Sequence, residues 1–270
     1  MRVALAQLDA RLGDVDANFE RARQAMAEAA AGSADLVVFP ELYLSGYALR
    51  SVSVETVSAA DDVARLTSEG GPAALVGFHQ RGHDDRGYNG AAYVAEGRVV
   101  HVHRKLYLVD YAPFYEDELF ESGSELRAFD TTHGRVAALV CNDAWQPFLP
   151  FIAAQDGARV LLVPSCSSTA MPEAEEYWRE LTRFHARMLQ CFVVFVNRVG
   201  SEGGLTFWGG SHVVAPDGEL LAEAPRFDEE LVFADLDLGQ VDARRRALPI
   251  VGDPRLDVLR AELERIALGG

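Results

Sequence analysis

The chain has 270 residues, of which 49% are hydrophobic, so it is long enough and apolar enough to bury a substantial core. Its formal net charge of −16 excludes nucleic acid and anionic membrane as partners, because both are bound through clustered Lys and Arg side chains. No stretch has the run of about 20 apolar residues that a membrane span needs, the amino terminus turns acidic too early for a signal peptide, and three cysteines do not suggest disulfides, so a cytoplasmic protein is expected.

The first predicted strands end close to Glu41. Residues 3–8 have the pattern of a strand, and residues 18–31 that of an alanine-rich helix that ends at Gly32. The apolar run LVVFP then closes at Pro40, immediately before Glu41. A carboxylate in this place is commonly a solvated turn or a helix cap, and it becomes a candidate general base when burial raises its pKa.

The next strands deliver the only lysine among 25 basic residues, Lys105. A short helix is predicted over residues 63–68, strands over 73–79, 91–96 and 99–106, and a turn-rich connection over 81–90. Alternation in the last strand places His101, His103 and Lys105 on one face. Hydrogen-bonded strand histidines are favoured over a metal site, because no third ligand lies nearby in sequence. An ammonium approaches a single oxygen more closely than the forked guanidinium does, so Lys105 is a candidate functional residue.

Residues 107–123 form a long segment in which aromatic and acidic residues alternate. Loops of this length inside compact domains are usually functional. Glu116 is flanked by Phe114, Tyr115 and Phe120, and an apolar wall around it would raise its pKa through desolvation. A solvated acidic loop is the alternative interpretation.

A buried strand over residues 135–140 stops at Cys141, which Asn142 and Asp143 follow. α/β proteins place reactive groups at the carboxyl ends of such strands. Cysteine forms covalent acyl intermediates once a base or a nearby cation favours its thiolate. The alternative for the same residue is a small buried hydrophobe.

The second half of the chain returns to strict α/β order. Helices are predicted over residues 147–156, 173–190 and 256–267, and strands over 158–165, 191–197, 212–215, 219–224 and 231–238. Cys166 and Cys191 are expected to be ordinary buried thiols. Residues 198–211 are predicted as a glycine-rich loop against a pocket, and residues 242–255 as an extended arm on a partner subunit. The apolar face of the helix over 173–190 is expected to consist of Tyr177, Leu181, Phe184 and Met188.

Together these elements predict two packed sheets with helices outside them. Many short strands in one chain, some in hairpins and some joined by helices, favour a four-layer α-β-β-α sandwich. Residues 1–270 are expected to form one domain, with 238–270 as a C-terminal arm and helix.

An acid, an amine and a thiol at the ends of predicted strands make a coherent acyl-transfer site. Cys141 supplies the nucleophile. Glu41 takes its proton and returns it to a leaving nitrogen. Lys105 stabilises the thiolate and, with the backbone N–H of Asn142, the oxyanion of a tetrahedral intermediate.

Three ordered motifs carry a strong resemblance to the nitrilase superfamily of carbon-nitrogen hydrolases: FPELYLSGY, HRKLYL and VCNDAWQPFLP. The likeness extends to FYEDELFESG, NRVG and FWGGSHVVAPDGELLAEA. It implies the α-β-β-α fold and a catalytic triad of Glu41, Lys105 and Cys141. It also implies a second structural or catalytic glutamate at Glu116, no cofactor, and dimers or larger homo-oligomers built from helical faces.

The nucleophile motif indicates the branch. Cys141-Asn142-Asp143 differs from the Cys-Trp-Glu of true nitrilases, which disfavours nitrile hydrolysis. The resemblance implies hydrolysis of a small linear amide or N-carbamoyl amine through a cysteine thioester with release of ammonia, or alternatively of glutamine. The candidate pocket residues are Tyr47, Tyr115, Trp145, Phe207 and Trp208, and Arg187 and Arg198 are candidate partners for a carboxylated substrate.

Two rival functions remain open at this point. A metal-dependent phosphohydrolase would draw on Glu41, Asn197, Asp143 and His212, although no metal site is predicted. An inactive relative would serve as a binding or assembly subunit, and the intact triad speaks against it.

Overall fold

Two six-stranded sheets lie at the centre of the fold. The computed structural model describes residues 1–51, 56–82, 87–252 and 254–269; part of the predicted connection over 81–90 lies outside them. The strands of the first sheet are β1 (Arg2–Gln7), β2 (Leu36–Val38), β3 (Ala73–Gln80), β4 (Tyr88–Ala95), β5 (Arg98–Arg104) and β14 (Glu230–Asp235). Those of the second are β6 (Phe129–Thr131), β7 (Gly134–Ala138), β8 (Val160–Ser165), β9 (Phe192–Asn197), β12 (His212–Val214) and β13 (Leu220–Glu223).

The strand order in the first sheet is β14-β1-β2-β3-β4-β5, and in the second β13-β12-β9-β8-β7-β6. In the first sheet the strands β1, β2 and β3 run parallel, and in the second sheet β7, β8 and β9 run parallel. The outer strands of both sheets pair antiparallel. A separate hairpin consists of β10 (Val199–Glu202) and β11 (Leu205–Trp208). The helices are α1 (Val15–Ala31), α2 (Ala60–Ala64), α3 (Phe148–Gln155), α4 (Ala174–Leu189), α5 (Gly239–Ala247) and α6 (Leu256–Ala267).

The alternation of side chains along the strands produces the layers. One face of β1 (Val3, Leu5) packs in a single buried cluster with one face of β8 and β9 (Leu162, Val194), which joins the two sheets. The other face of the first sheet packs on α1 and α2. The other face of the second packs on α3 and α4. The predicted four-layer α-β-β-α sandwich is therefore confirmed.

The apolar face predicted for α4 is present, but most of it points away from the core. Tyr177, Phe184 and Met188 are 47%, 55% and 41% exposed, whereas the buried face includes the polar Thr182 and His185. Both polar groups have partners there, because Thr182 hydrogen-bonds His212 at 2.9 Å and His185 hydrogen-bonds a backbone carbonyl at 2.8 Å. Satisfied polar groups can be buried at little cost, and hydrophobic periodicity alone does not reveal them.

Two other segments differ from the predictions. The glycine-rich stretch over 198–211 contains the β10–β11 hairpin, with Gly203 and Gly204 at φ of 55° and 83° in its turn. The arm predicted as extended over 242–255 begins inside α5, which is anchored because Val241 is fully buried and Arg245 donates to the carbonyl of Ala158. Among the described residues, the helices are too short or too polar to cross a membrane.

Candidate active site

A buried ammonium between two carboxylates is the centre of the site. Lys105 Nζ lies 2.7 Å from Glu41 Oε1 and 2.7 Å from Glu116 Oε1. The side chains of Lys105 and Glu41 are fully buried and that of Glu116 is 2% exposed. Buried charges are stable only when they are paired and hydrogen-bonded, so these three residues depend on one another.

Glu41 is fixed by donors on both of its oxygens. Asn89 Nδ2 on β4 donates to Oε1 at 2.8 Å, and the backbone N–H of Cys166 donates to Oε2 at 2.9 Å. The turn that carries Glu41 lies directly against β3 at Gly77, where a Cβ atom would fall 2.3 Å from the carbonyl oxygen of Pro40. A glycine is therefore needed at this close approach. Sequence reasoning missed both Asn89 and Gly77, because neither stands in a recognisable motif.

Glu116 lies in the long loop that sequence reasoning singled out. Tyr47 Oη donates to its Oε1 at 2.6 Å, and the backbone N–H of Val109 donates to its Oε2 at 3.1 Å. The loop thus folds back over a carboxylate that also binds Lys105. Of the two predicted alternatives for Glu116, the structure has the buried residue rather than the solvated one.

Left-handed backbone accompanies each candidate acid and the thiol. Leu42 follows Glu41 with φ of 48°, Tyr115 precedes Glu116 with φ of 49°, and Cys141 itself has φ of 45°. Such conformations are costly for residues other than glycine, and they concentrate at functional sites.

Cys141 stands at the point where β7 has ended and a 3₁₀ helix (Cys141–Trp145) begins. It is only partly buried, and its thiol is free. It lines a cavity of about 70 Å³ whose wall includes Tyr47, Phe114, Trp145 and Cys166. Cys141 therefore borders a small cleft, as the predicted nucleophile requires.

Asp143 joins the cysteine turn to the lysine segment. Its Oδ1 accepts from the backbone N–H groups of Leu106 and Tyr107 at 2.9 Å each, immediately after Lys105. Its Oδ2 accepts from the backbone N–H of Val140 at 3.1 Å and lies 2.8 Å from His103 Nε2. The prediction of a hydrogen-bonded strand histidine is confirmed for His103.

Burial dominates the electrostatics of the site. Burial lowers the pKa of Lys105, but the carboxylates of Glu116 and Glu41 outweigh it, and the net pKa lies well above the ordinary value. Burial raises the pKa of Glu116 against the opposing effect of Lys105. Burial also raises the pKa of the Cys141 thiol, Glu41 raises it further, and Lys105 opposes the change. The resting thiol is therefore protonated at neutral pH.

The cavity wall agrees with the predicted pocket in part. Tyr47 and Trp145 line it. Of the other three predicted residues, Tyr115 lies beneath the guanidinium of Arg50. Phe207 and Trp208 are buried and contact the wall residues Tyr47 and Ser167, respectively. The wall also includes residues that sequence reasoning did not select: Val109, Tyr111, Phe114, Ser167, Ser168 and Met171.

Neither candidate arginine lines this cavity. Arg198 is 1% exposed and binds Asp9 at 2.7 Å and Glu202 at 2.7 Å, and Glu202 in turn accepts from the backbone N–H of Tyr47. Arg198 therefore holds the loop that carries Tyr47. Arg187 is exposed on α4.

The residues that a metal-dependent phosphohydrolase would use as ligands form hydrogen bonds with other protein groups. Asp143 binds His103 and three backbone N–H groups, as described above. Asn197 Nδ2 donates to the carbonyls of Ser167 and Gly209, and His212 pairs with Thr182. No group of three or more His, Cys, Asp or Glu side chains in the described ranges is arranged to hold a metal ion.

A family model described as carbon-nitrogen hydrolase matches residues 2–246. This chain belongs to the carbon-nitrogen hydrolase family. Assignment to the nitrilase superfamily by its three motifs is thereby confirmed.

Two curated relatives have the same sequence identity to this carbon-nitrogen hydrolase but differ from each other in how much of their length it matches. It is 33% identical to a glutamine-dependent NAD(+) synthetase of Thermotoga maritima. The alignment covers 91% of this chain but only 45% of that protein. It is also 33% identical to an (R)-stereoselective amidase of a Pseudomonas species, over 95% of this chain and 92% of that protein. The chain thus spans about half the length of the synthetase it matches.

A solved structure gives the same fold. The amidase of Nesterenkonia AN1, described as a member of the nitrilase superfamily, superposes with a TM-score of 0.82 at 28% identity and covers 97% of this chain and 96% of that one.

Proposed function

We propose that this protein hydrolyses a non-peptide C–N bond in a small linear amide or N-carbamoyl amine, with Glu41, Lys105 and Cys141 as the triad. The observation that carries the proposal is the buried Lys105 ammonium, held by Glu41 and Glu116 next to the cavity that Cys141 lines. The charges of Glu41 and Lys105 both act on the Cys141 thiol, so proton transfer among these groups is coupled.

In the first half of the proposed reaction, the Cys141 thiol transfers its proton to Glu41 and its sulfur attacks the substrate carbonyl carbon. Lys105 and the backbone N–H of Asn142 stabilise the resulting oxyanion. The C–N bond then breaks, Glu41 returns the proton to the leaving nitrogen, ammonia departs, and the acyl group remains on Cys141 as a thioester.

In the second half, a water molecule gives a proton to Glu41 and attacks the thioester carbonyl. The C–S bond breaks, the acid product leaves, and Cys141 regains its proton. Glu116 contributes by holding Lys105 at 2.7 Å.

A solved relative supports the covalent step. A glutamate-to-glutamine mutant of the Nesterenkonia amidase shows covalent addition of the acetamide moiety of fluoroacetamide at the active-site cysteine. A cysteine that takes up an acyl-sized adduct in that protein supports the assignment of Cys141 here.

Glutamine is the second candidate substrate. The similarity to glutamine-dependent NAD(+) synthetases favours it. The cavity wall opposes it, because the described residues that line it include no arginine or lysine to pair with the α-carboxylate of glutamine.

Ammonia release across short amides, N-carbamoyl amines and glutamine tests the proposal, with Cys141→Ala as the control. We expect release from at least one neutral short amide or carbamoyl amine and none above background from the variant. Release from glutamine alone would establish the second candidate, and release that persists in Cys141→Ala would contradict the mechanism.

We also propose that the protein works in the cytoplasm as a homodimer or larger assembly. The side chains of Phe148 and Ile152 on α3 and of Tyr177, Phe184 and Met188 on α4 are all more than 40% exposed, and such apolar patches mark protein contacts. A mass measurement in solution tests the assembly, since Phe184→Asp is expected to shift it toward the monomer.

A further inference from the structure

A second cavity shares part of its wall with the cavity that Cys141 lines. It has a volume of about 170 Å³, more than twice that of the first, and Glu116 stands in its wall. Its other wall residues are largely apolar and include Leu49, Leu119, Phe120 and Leu205. Arg50 and Pro113 at its margin are exposed, so the second cavity opens to solvent.

Two aromatic side chains, Tyr47 and Phe114, line both cavities. Tyr47 is held in place because its hydroxyl donates to Glu116 and its backbone N–H donates to Glu202. Phe114 has no polar anchor in its side chain and packs edge to face on Tyr47 and Tyr111, with ring centroids 6.1 Å and 5.9 Å away. Phe114 is therefore the part of the wall that a substitution can remove without breaking the Lys105 cluster.

We propose that Phe114 determines substrate specificity by separating the two cavities and limiting the acyl group to a short chain. This inference rests on the proposed function and names its substrate class. The first cavity has a volume of about 70 Å³ and the second about 170 Å³, so a long acyl chain finds more room in the second cavity than in the first. A longer apolar chain on the carbonyl carbon meets the Phe114 ring before it reaches the apolar second cavity.

The test compares kcat/KM for acetamide, butyramide and hexanamide in the wild type and in Phe114→Ala. A hydrophobic pocket discriminates by about tenfold or more for each methylene that it cannot accept. We expect the wild type to prefer acetamide, and Phe114→Ala to raise the hexanamide-to-acetamide ratio by at least about tenfold. An unchanged ratio in a variant with wild-type thermal unfolding would overturn the proposal.

Two further variants distinguish the specific loss of the Phe114 ring from a general loosening of the loop that carries it. Tyr107→Ala removes a ring from the same loop, but Tyr107 lines neither cavity and its ring packs on Phe148, so the ratio should stay near that of the wild type. Leu119 lines the second cavity only. Phe114→Ala combined with Leu119→Trp should therefore lose the gain, and a double variant that keeps it would contradict the route through the second cavity.

The rate of alkylation of Cys141 tests the role of Phe114 in a reaction that involves no hydrolysis. The sulfur displaces chloride from 2-chloroacetamide or 2-chlorohexanamide to form a thioether, and the ratio of the two rates should rise in Phe114→Ala. If this ratio rises while no amide is hydrolysed, the proposed function fails and the role of Phe114 stands. If hydrolysis occurs but neither ratio moves, the role of Phe114 fails and the proposed function stands.

Discussion

Two cysteines at the ends of neighbouring parallel strands, Cys141 after β7 and Cys166 after β8, line the same cavity. Cys166 is 3% exposed, and its thiol donates to the carbonyl oxygen of Glu41 at 3.1 Å. Cys141 is partly exposed and has left-handed backbone at the start of a 3₁₀ helix. One thiol therefore belongs to the structure that holds the base, and the other faces the space that a substrate would fill.

In the proposed mechanism, the geometry of the turn, and not the acidity of the thiol, distinguishes the nucleophile Cys141 from Cys166. Burial is the first cause of the raised pKa at both cysteines, and Glu41 is the second. Neither is a resting thiolate of the kind that a nearby cation alone produces. In this account Cys141 is activated when a substrate arrives and Glu41 accepts its proton.

The largest effect should come from exchanging each cysteine for alanine. Cys141→Ala removes the nucleophile and should lower kcat by at least about a thousandfold. Cys166→Ala keeps the backbone N–H that binds Glu41 and should stay within about tenfold of the wild type. Ammonia release measures both, and a Cys166→Ala enzyme as inactive as Cys141→Ala would reverse the two roles.

The next largest loss of activity should come from changing the shape of the cation at position 105. Lys105→Arg keeps the charge, but the planar guanidinium is larger than the compact ammonium that fits, fully buried, 2.7 Å from both Glu41 and Glu116. We expect a loss of about 10²–10³ in kcat. The adjacent Arg104→Lys is the control, because Arg104 binds Gln80 and stacks on Tyr88 away from the cluster. Wild-type rates in Lys105→Arg would remove Lys105 from the mechanism.

The substitution Gly77→Ala should disturb the turn that carries Glu41 and no other part of the site. The added Cβ would meet backbone atoms at 2.3–2.7 Å, so the turn that binds Cys166 must shift while the Cys141 turn stays. Overpacking of this kind should cost about 1–3 kcal/mol in the free energy of unfolding and also lower kcat. Gly252→Ala, where the nearest atom lies 3.9 Å away, should change neither in denaturant unfolding and rate assays.

The smallest effect concerns pH. Because the pKa of Cys141 is raised, its alkylation by iodoacetamide should keep rising with pH past about 8.5, where an ordinary thiol levels off. Glu41→Gln removes a charge that raises this pKa, so its profile should shift toward lower pH. A plateau below neutral pH in the wild type would show a resting thiolate instead.

Sequence reasoning reached the fold and the central residues because each stands in a long motif at the end of an apolar strand, as Glu41 and Cys141 do. It did not find Asn89, and it considered Asp143 only as a metal ligand, because the roles of both depend on hydrogen bonds between segments far apart in the chain. It did not show that the side of α4 that faces the core carries Thr182 and His185, because tertiary partners satisfy both. Tyr115 was selected for its aromatic type, but its backbone turns the ring toward Arg50.

The most direct test is to quench the enzyme with acid during turnover of an accepted amide and to locate the acyl group by peptide mass spectrometry. We predict an acyl mass on the peptide that carries Cys141 and an unmodified Cys166. An acyl group on Cys166, or turnover with no acylated cysteine under conditions that trap a known thioester, would contradict the account.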